Sequence, residues 1–189
     1  MLVESMVLRA IPMSVLALAA VAGPGAASTS AVPREFAVQG TSAGLTSAQI
    51  TTLQSRTERY LAVMGGRQTG LNKIDLDGKG TVSIALPGEA HPRNLPGTTS
   101  DYCGWLTGAP YGRFCAYSGT WYTGDSIDMY YCDRYTIGFS GPGSWDNNQS
   151  TGTRARMYNN VNRVVYTTPP AASHDRDGNW TGIAYVRNC

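Results

Sequence analysis

Catalysis or metal binding needs a proton acceptor beside a nucleophile, or a cluster of ligand atoms, and this chain offers few candidates for either. Its two histidines stand apart, His91 inside "GEAHPRN" and His174 inside "ASHDRD", and no Gly-x-Ser-x-Gly turn occurs. Without a nucleophile placed near a base, acyl-transfer chemistry has no sequence signal, so the chain is expected not to be an enzyme. Four cysteines, Cys103, Cys115, Cys132 and Cys189, lie in the second half. Zinc is disfavoured, because no pair has the two-to-four-residue spacing of a metal site and both histidines are remote in sequence. Two Asp-rich stretches, "DLDGKGTVS" at 75–83 and "DRDGN" at 175–179, fall short of an EF-hand loop. The first has Lys79 at its fifth position and Leu86 where a bidentate Glu belongs. Both read as hairpin turns. Asn148 and Asn179 are glycosylation sequons.

The whole chain sets the frame for these residues. At 189 residues it holds one ordinary domain or a small domain with an appendage. Charged residues make up 15%, against roughly 25% in average globular chains, while Gly (22) and Tyr (11) are abundant. That balance belongs to loop-rich β proteins. The net charge is +2 and the densest basic run is "TRAR" at 153–156, which cannot track a phosphate backbone, so no nucleic-acid partner is expected. Residues 7–22 are apolar apart from Arg9, too few to span a bilayer, and small residues follow. Residues 1–27 therefore read as a secretory signal peptide, with Met6 and Met13 as alternative starts, and the mature chain as secreted, extracellular and free of the membrane. Four cysteines in an exported chain read as two disulfides, for which three connectivities exist.

Residues 28–44 are small, polar and aperiodic, as in a flexible tether. In 45–66 the apolar residues Ile50, Leu53, Tyr60, Leu61 and Met64 recur at helical spacing, with Thr46 or Ser47 to cap and Gly65 to terminate. Alternation around Asp77-Gly78-Lys79-Gly80 predicts a β-hairpin that packs on this helix, completing a region over 45–86. Prolines 87, 92 and 96 mark a linker over 87–100. From residue 101 to 189 short strand candidates follow closely: "RFCAYS", "SIDMYYC", "YTIGF", "RARMY", "RVVYTT" and "GIAYVRN". Such spacing predicts a sandwich or barrel. Alternation in "SIDMYY" predicts a strand with one wet face, and "YNNVNR" turns one strand back on another.

One stretch carries a finer signal. "CAYSGTWYTG", residues 115–124, contains three aromatics, two glycines and no charge. Its spacing of Tyr117, four residues, Tyr122, one residue, Gly124 resembles the Greek-key signature of βγ-crystallins, in which a folded hairpin packs an aromatic pair and the glycine adopts a backbone shape closed to other residues. The resemblance implies a mainly β fold, a crystallin-like Greek-key sandwich carrying a small N-terminal helix and hairpin appendage. "DNNQST", residues 146–151, is similar to the crystallin calcium motif, which makes Asp146 and Ser150 candidate oxygen ligands for a hard cation. No other cofactor is implied.

A cysteine pair ahead of the hairpin, with "FCAYSG" leading into it, resembles the secreted metalloproteinase inhibitors of soil bacteria over residues 101–168. That resemblance implies a Cys103–Cys115 bond, leaving Cys132 with Cys189, and a monomer that blocks an extracellular metalloprotease with a rigid, substrate-like loop. The candidate loop is "CGWLTGAPYGRFC", where Trp105 and Leu106 match the preference of thermolysin-like enzymes for a large apolar residue after the scissile bond. The same two side chains suit a hydrophobic plug at the open end of the β-domain. The chain also departs from these inhibitors. Their reactive bond has a branched apolar residue directly after a cysteine, whereas Gly104, Ala116 and Asp133 follow the cysteines here. An alternative of another class is a wall-associated or antimicrobial module whose exposed Trp and Tyr contact polysaccharide.

Overall fold

Thr46 opens the longer of the two α-helices among the described residues with a reciprocal cap: its hydroxyl accepts the Gln49 N–H while the Gln49 side chain accepts the Thr46 N–H. Two donors that a helix start leaves orphaned are thereby satisfied. The helix, α2, runs Ser47–Met64 and ends at Gly65 (φ 74°). Its buried face consists of Ile50, Leu53, Gln54 and Thr57. The structure is a computed structural model that describes residues 31–100 and 102–189; the expected signal peptide lies outside the described residues. Ala31–Cys189 forms one compact unit.

Among the described residues the chain is mainly β, with two antiparallel sheets and two α-helices. The expected tether differs from the structure, because Arg34–Ser42 within it is a helix, α1. Gly40 is the reason it can pack: a Cβ there would lie 2.5 Å from Ile50 Cγ1, so only glycine allows α1 to approach α2 this closely. Gln39 adds a polar tie, its side-chain oxygen accepting the Leu71 N–H at 2.9 Å.

Strands β1 (Arg67–Gly70), β2 (Lys73–Asp75) and β3 (Gly80–Ser83) follow α2. The turn between β2 and β3 has Asp77 and Gly78 at positive φ, and Asp75 Oδ1 accepts the Gly78 N–H, so the Asp-rich stretch is a hairpin turn. Strands β4 (Arg113–Tyr117), β5 (Ser126–Met129), β6 (Arg134–Thr136), β7 (Pro142–Asn148), β8 (Arg156–Tyr158), β9 (Val164–Thr167), β10 (Ser173–Asn179) and β11 (Tyr185–Arg187) complete the fold. The larger sheet has the order β1-β2-β3-β5-β4-β7-β10 and the smaller β6-β11-β8-β9. Thus β6 and β10 each leave the sheet of their sequence neighbours and pair in the other.

This topology corrects four expectations. The helix and hairpin are not an appendage, since β3 pairs with β5 from Gly80 opposite Met129 to Ser83 opposite Ser126, making one continuous sheet. Residues 87–100 are not a free linker but a strap over that sheet: Leu95 is buried, Asn72 Nδ2 donates to the Arg93 carbonyl, and the wholly buried Lys73 ammonium donates to Asn94 Oδ1 and the Thr99 carbonyl. Strand β5 has no wet face. It lies between β3 and β4 and all four residues are buried, with Asp128 paired to Arg113 of β4. "DRDGN" also departs from the expected turn, forming part of β10 with a bulge between Asp175 and Gly178.

Asp125 locks the two halves of the sequence together. Its carboxylate accepts Arg56 (2.6 Å) and Tyr60 (2.7 Å) from α2 and the backbone N–H of Ala85 (2.9 Å). Burial and the adjacent Asp125 charge push the Tyr60 phenol far up, so it stays a donor at any working pH.

Candidate functional site

Cys103 and Cys115 are bonded, as are Cys132 and Cys189. The first bond anchors the loop 103–115 to β4, the strand between β5 and β7. Inside it, Gly104 and Gly108 exchange backbone hydrogen bonds (3.2 and 3.1 Å), closing a smaller ring with Trp105, Leu106 and Thr107 at its tip. Gly108 has φ 70°, and a Cβ there would run into the Asp146 carboxylate, so both conformation and space require glycine.

Side chains from the sheet hold the base of the ring. The Tyr117 hydroxyl donates to the Gly104 carbonyl (3.0 Å). Asp146 Oδ2 accepts the Ala109 N–H (2.9 Å), and Asn148 Nδ2 donates to the Ala109 carbonyl (2.8 Å). Burial raises the Asp146 pKa, with the Ala109 N–H opposing the shift. At the tip, Trp105 is 51% and Leu106 73% exposed, which removes the plug role. Trp105 stacks on His91 at 4.7 Å, and His91 Nδ1 donates to the Tyr122 carbonyl at 3.2 Å. His91 thus acts as a brace from the 87–100 strap. Sequence reasoning placed it in a linker, and only folding brings it against Trp105.

The folded hairpin after β4 supports the same face. Tyr117 and Tyr122 pack with ring centroids 4.9 Å apart. Gly124 has φ 79°, and a Cβ would collide with Ser118 Oγ and crowd the Gly119 nitrogen. Ser144 of β7 closes the hairpin, accepting the Tyr122 N–H and donating to the Gly119 carbonyl. Trp121 projects outward, 63% exposed, with the Arg176 guanidinium 5.4 Å from its ring.

The candidate calcium residues fall on different structures. Asp146 sits in β7 as the loop anchor, whereas Ser150 lies in the exposed turn beyond it, its carbonyl accepting the Thr153 N–H. Asn147 faces the opposite side of the strand from Asp146, as the pleat requires, and donates to the Thr153 carbonyl. Among the described residues the one group of three metal-ligating side chains is Cys103, Cys115 and Asp128. Its sulfurs are joined in the disulfide, so they offer no thiolate.

Two disulfides suit an oxidising compartment, and no helix among the described residues is long and apolar enough to cross a membrane. What the arrangement supplies is an exposed apolar tip on a stiff base. No family model, no curated protein and no solved structure matches this chain, so its function is argued from that geometry.

Proposed function

We propose that this is a secreted inhibitor of an extracellular metallopeptidase that occupies the enzyme's cleft with the loop 103–115. The carrying observation is that Trp105 and Leu106 stand exposed on a ring closed by Gly104–Gly108 and anchored by the Cys103–Cys115 bond. A flexible peptide loses conformational freedom when it enters a cleft, at a cost of about 0.5–1.5 kcal/mol per immobilised side chain. Here Tyr117, Asp146, Asn148 and His91 have already fixed the loop, so little of that cost remains. The inhibitor reading needs neither cofactor nor dimer.

A crystallin-like Greek-key reading of the scaffold draws support from the pairing. In the first half β5, β4 and β7 are neighbours and β6 crosses over; in the second, β9, β8 and β11 are neighbours and β10 crosses back. Each half thus contributes three strands to one sheet and one to the other, an exchange that stitches the two layers together.

Titration of a thermolysin-like enzyme tests the function. Stoichiometric loss of activity is expected, and truncation in Leu106→Ala removes a side chain that complex formation would bury, weakening inhibition by about 2 kcal/mol, roughly 30-fold. Unchanged proteolysis at a large molar excess of inhibitor refutes the proposal.

A further inference from the structure

The two sheets do not close against each other everywhere. β10 ends the larger sheet and β9 ends the smaller, and between these edges lies a cleft of about 570 Å3. That volume falls within the usual range for small-molecule sites. It shares no lining residue with the loop 103–115. Its floor is apolar: Trp145 and Trp180 are almost wholly buried there, and the Trp180 indole N–H is satisfied by the Tyr117 carbonyl at 2.8 Å. Tyr166, 41% exposed, supplies an accessible ring on the β9 side, 6.1 Å from Trp145.

The polar rim is oriented. Asn159 Oδ1 accepts the N–H groups of Val161 (3.2 Å) and Arg163 (2.9 Å), and Asn179 Oδ1 accepts the Thr181 N–H (2.8 Å). With each oxygen held by backbone, each side-chain NH2 is directed away as a donor. Among the described residues Asp175 is the only charged side chain in the lining; one of its oxygens accepts the Asp177 N–H, and the other remains as an acceptor. No Lys or Arg among the described residues lines the cleft, so phosphate, sulfate and uronate ligands lack a counter-charge.

From this combination we infer that the cleft binds neutral glycans built of pyranose units. A pyranose presents a C–H face, which packs on an exposed ring, and an equatorial belt of hydroxyls, which both donate and accept. Tyr166 faces the first requirement; the Asn159 and Asn179 amides and the Asp175 carboxylate meet the second. The site stands independently of protease inhibition, because the loop and the cleft use different residues.

The test uses the full mature chain with soluble β-1,4-linked oligosaccharides of glucose, N-acetylglucosamine, xylose and mannose. Binding is followed by NMR shifts of the Asn159 and Asn179 side-chain amides and by tryptophan emission. Saturable binding of at least one, with Kd on the order of 1 mM or tighter, is expected. Asn159→Asp and Asn179→Asp keep the acceptor that holds the backbone but turn the donor into a charged acceptor, so each is expected to weaken binding about tenfold with the amide fingerprint elsewhere unchanged. Asp175→Asn is expected to weaken it at least as much, and Tyr166→Ala to abolish it. Absence of saturable binding by every sugar overturns the inference. So does binding that is indifferent to all four substitutions, or a preference for an oligouronate over its neutral counterpart.

Discussion

Asp125→Ala should unfold the whole protein more easily, not merely loosen helix α2. The substitution leaves Arg56, the Tyr60 hydroxyl and the Ala85 N–H without their common acceptor. Breaking a buried ion pair costs about 3–5 kcal/mol. Arg56 is 29% exposed and can turn to water, so the lower end, about 3 kcal/mol, applies to the charged contacts. The Ala85 N–H sits on a buried residue and adds about 1 kcal/mol when unsatisfied. A total near 4 kcal/mol corresponds to a fall in Tm of about 10 °C for a domain of this size. Asp125→Asn keeps an acceptor for Ala85 and should fall between the two proteins.

The assay can distinguish a single cooperative unit from a body with an appendage. All four tryptophans, at 105, 121, 145 and 180, lie beyond residue 100, whereas α1 and α2 precede it. In urea, tryptophan emission therefore reports the second half and ellipticity at the helical minimum reports the first. Coincident transitions, both displaced in Asp125→Ala, are expected. A helical transition that moves while tryptophan emission does not, or a loss of under about 1 kcal/mol, far below what a buried ion pair is worth, refutes the argument that Asp125 joins the halves.

Three further outcomes can be measured on the same preparations. Gly124→Ala forces a methyl against Ser118 Oγ at φ 79° and should cost more than about 1 kcal/mol in urea unfolding. Replacing Cys103 and Cys115 by serine opens a loop with a sequence separation of 12; chain-entropy arguments give a loss of about 3 kcal/mol, and inhibition by the loop should fall further than Tm alone accounts for. Asp146 titrates above its ordinary value because burial disfavours its charge. Its stabilising contribution is then fully present below the unfolded-state pKa and is lost as pH rises through the folded-state value, so wild type minus Asp146→Asn stability should decline over that interval. A difference that grows with pH contradicts the assignment.

Local chemistry made some of this fold readable in the sequence. Thr46 and Gln49 announce a helix start, and Asp77-Gly78 announces a turn needing positive φ, because in each case the residue type answers a backbone requirement within a few positions. Strands β7 and β10 were illegible for the opposite reason. "PGSWDNN" and "SHDRDGN" are rich in residues that disfavour strands, and they are extended because β4 pairs with β7 and β7 with β10. Buried polar residues hid in the same way. Ser126 and Asp128 signalled a wet face, but Arg113 from β4 supplies the charge that lets Asp128 lie inside. Helix α1 is only nine residues long with Phe36 as its one large side chain packed on the core, and its close approach depends on what Gly40 lacks.

The candidate site follows from the pleat of one strand. Along β7, Asp146 and Asn148 point toward the loop and fix Ala109 from both sides, while Trp145 forms the floor of the cleft and Asn147 binds across to Thr153. A period of two assigns alternate residues to opposite faces, so a run that resembles a calcium motif when read consecutively separates in space into two sets with different tasks. The aspartate sits there because a backbone N–H in a disulfide-anchored loop needs an acceptor, and the tryptophan because the gap between two sheet edges needs a floor. Strand β7 is therefore the wall between the disulfide-anchored loop and the cleft, and its polar composition follows from facing something different at every step.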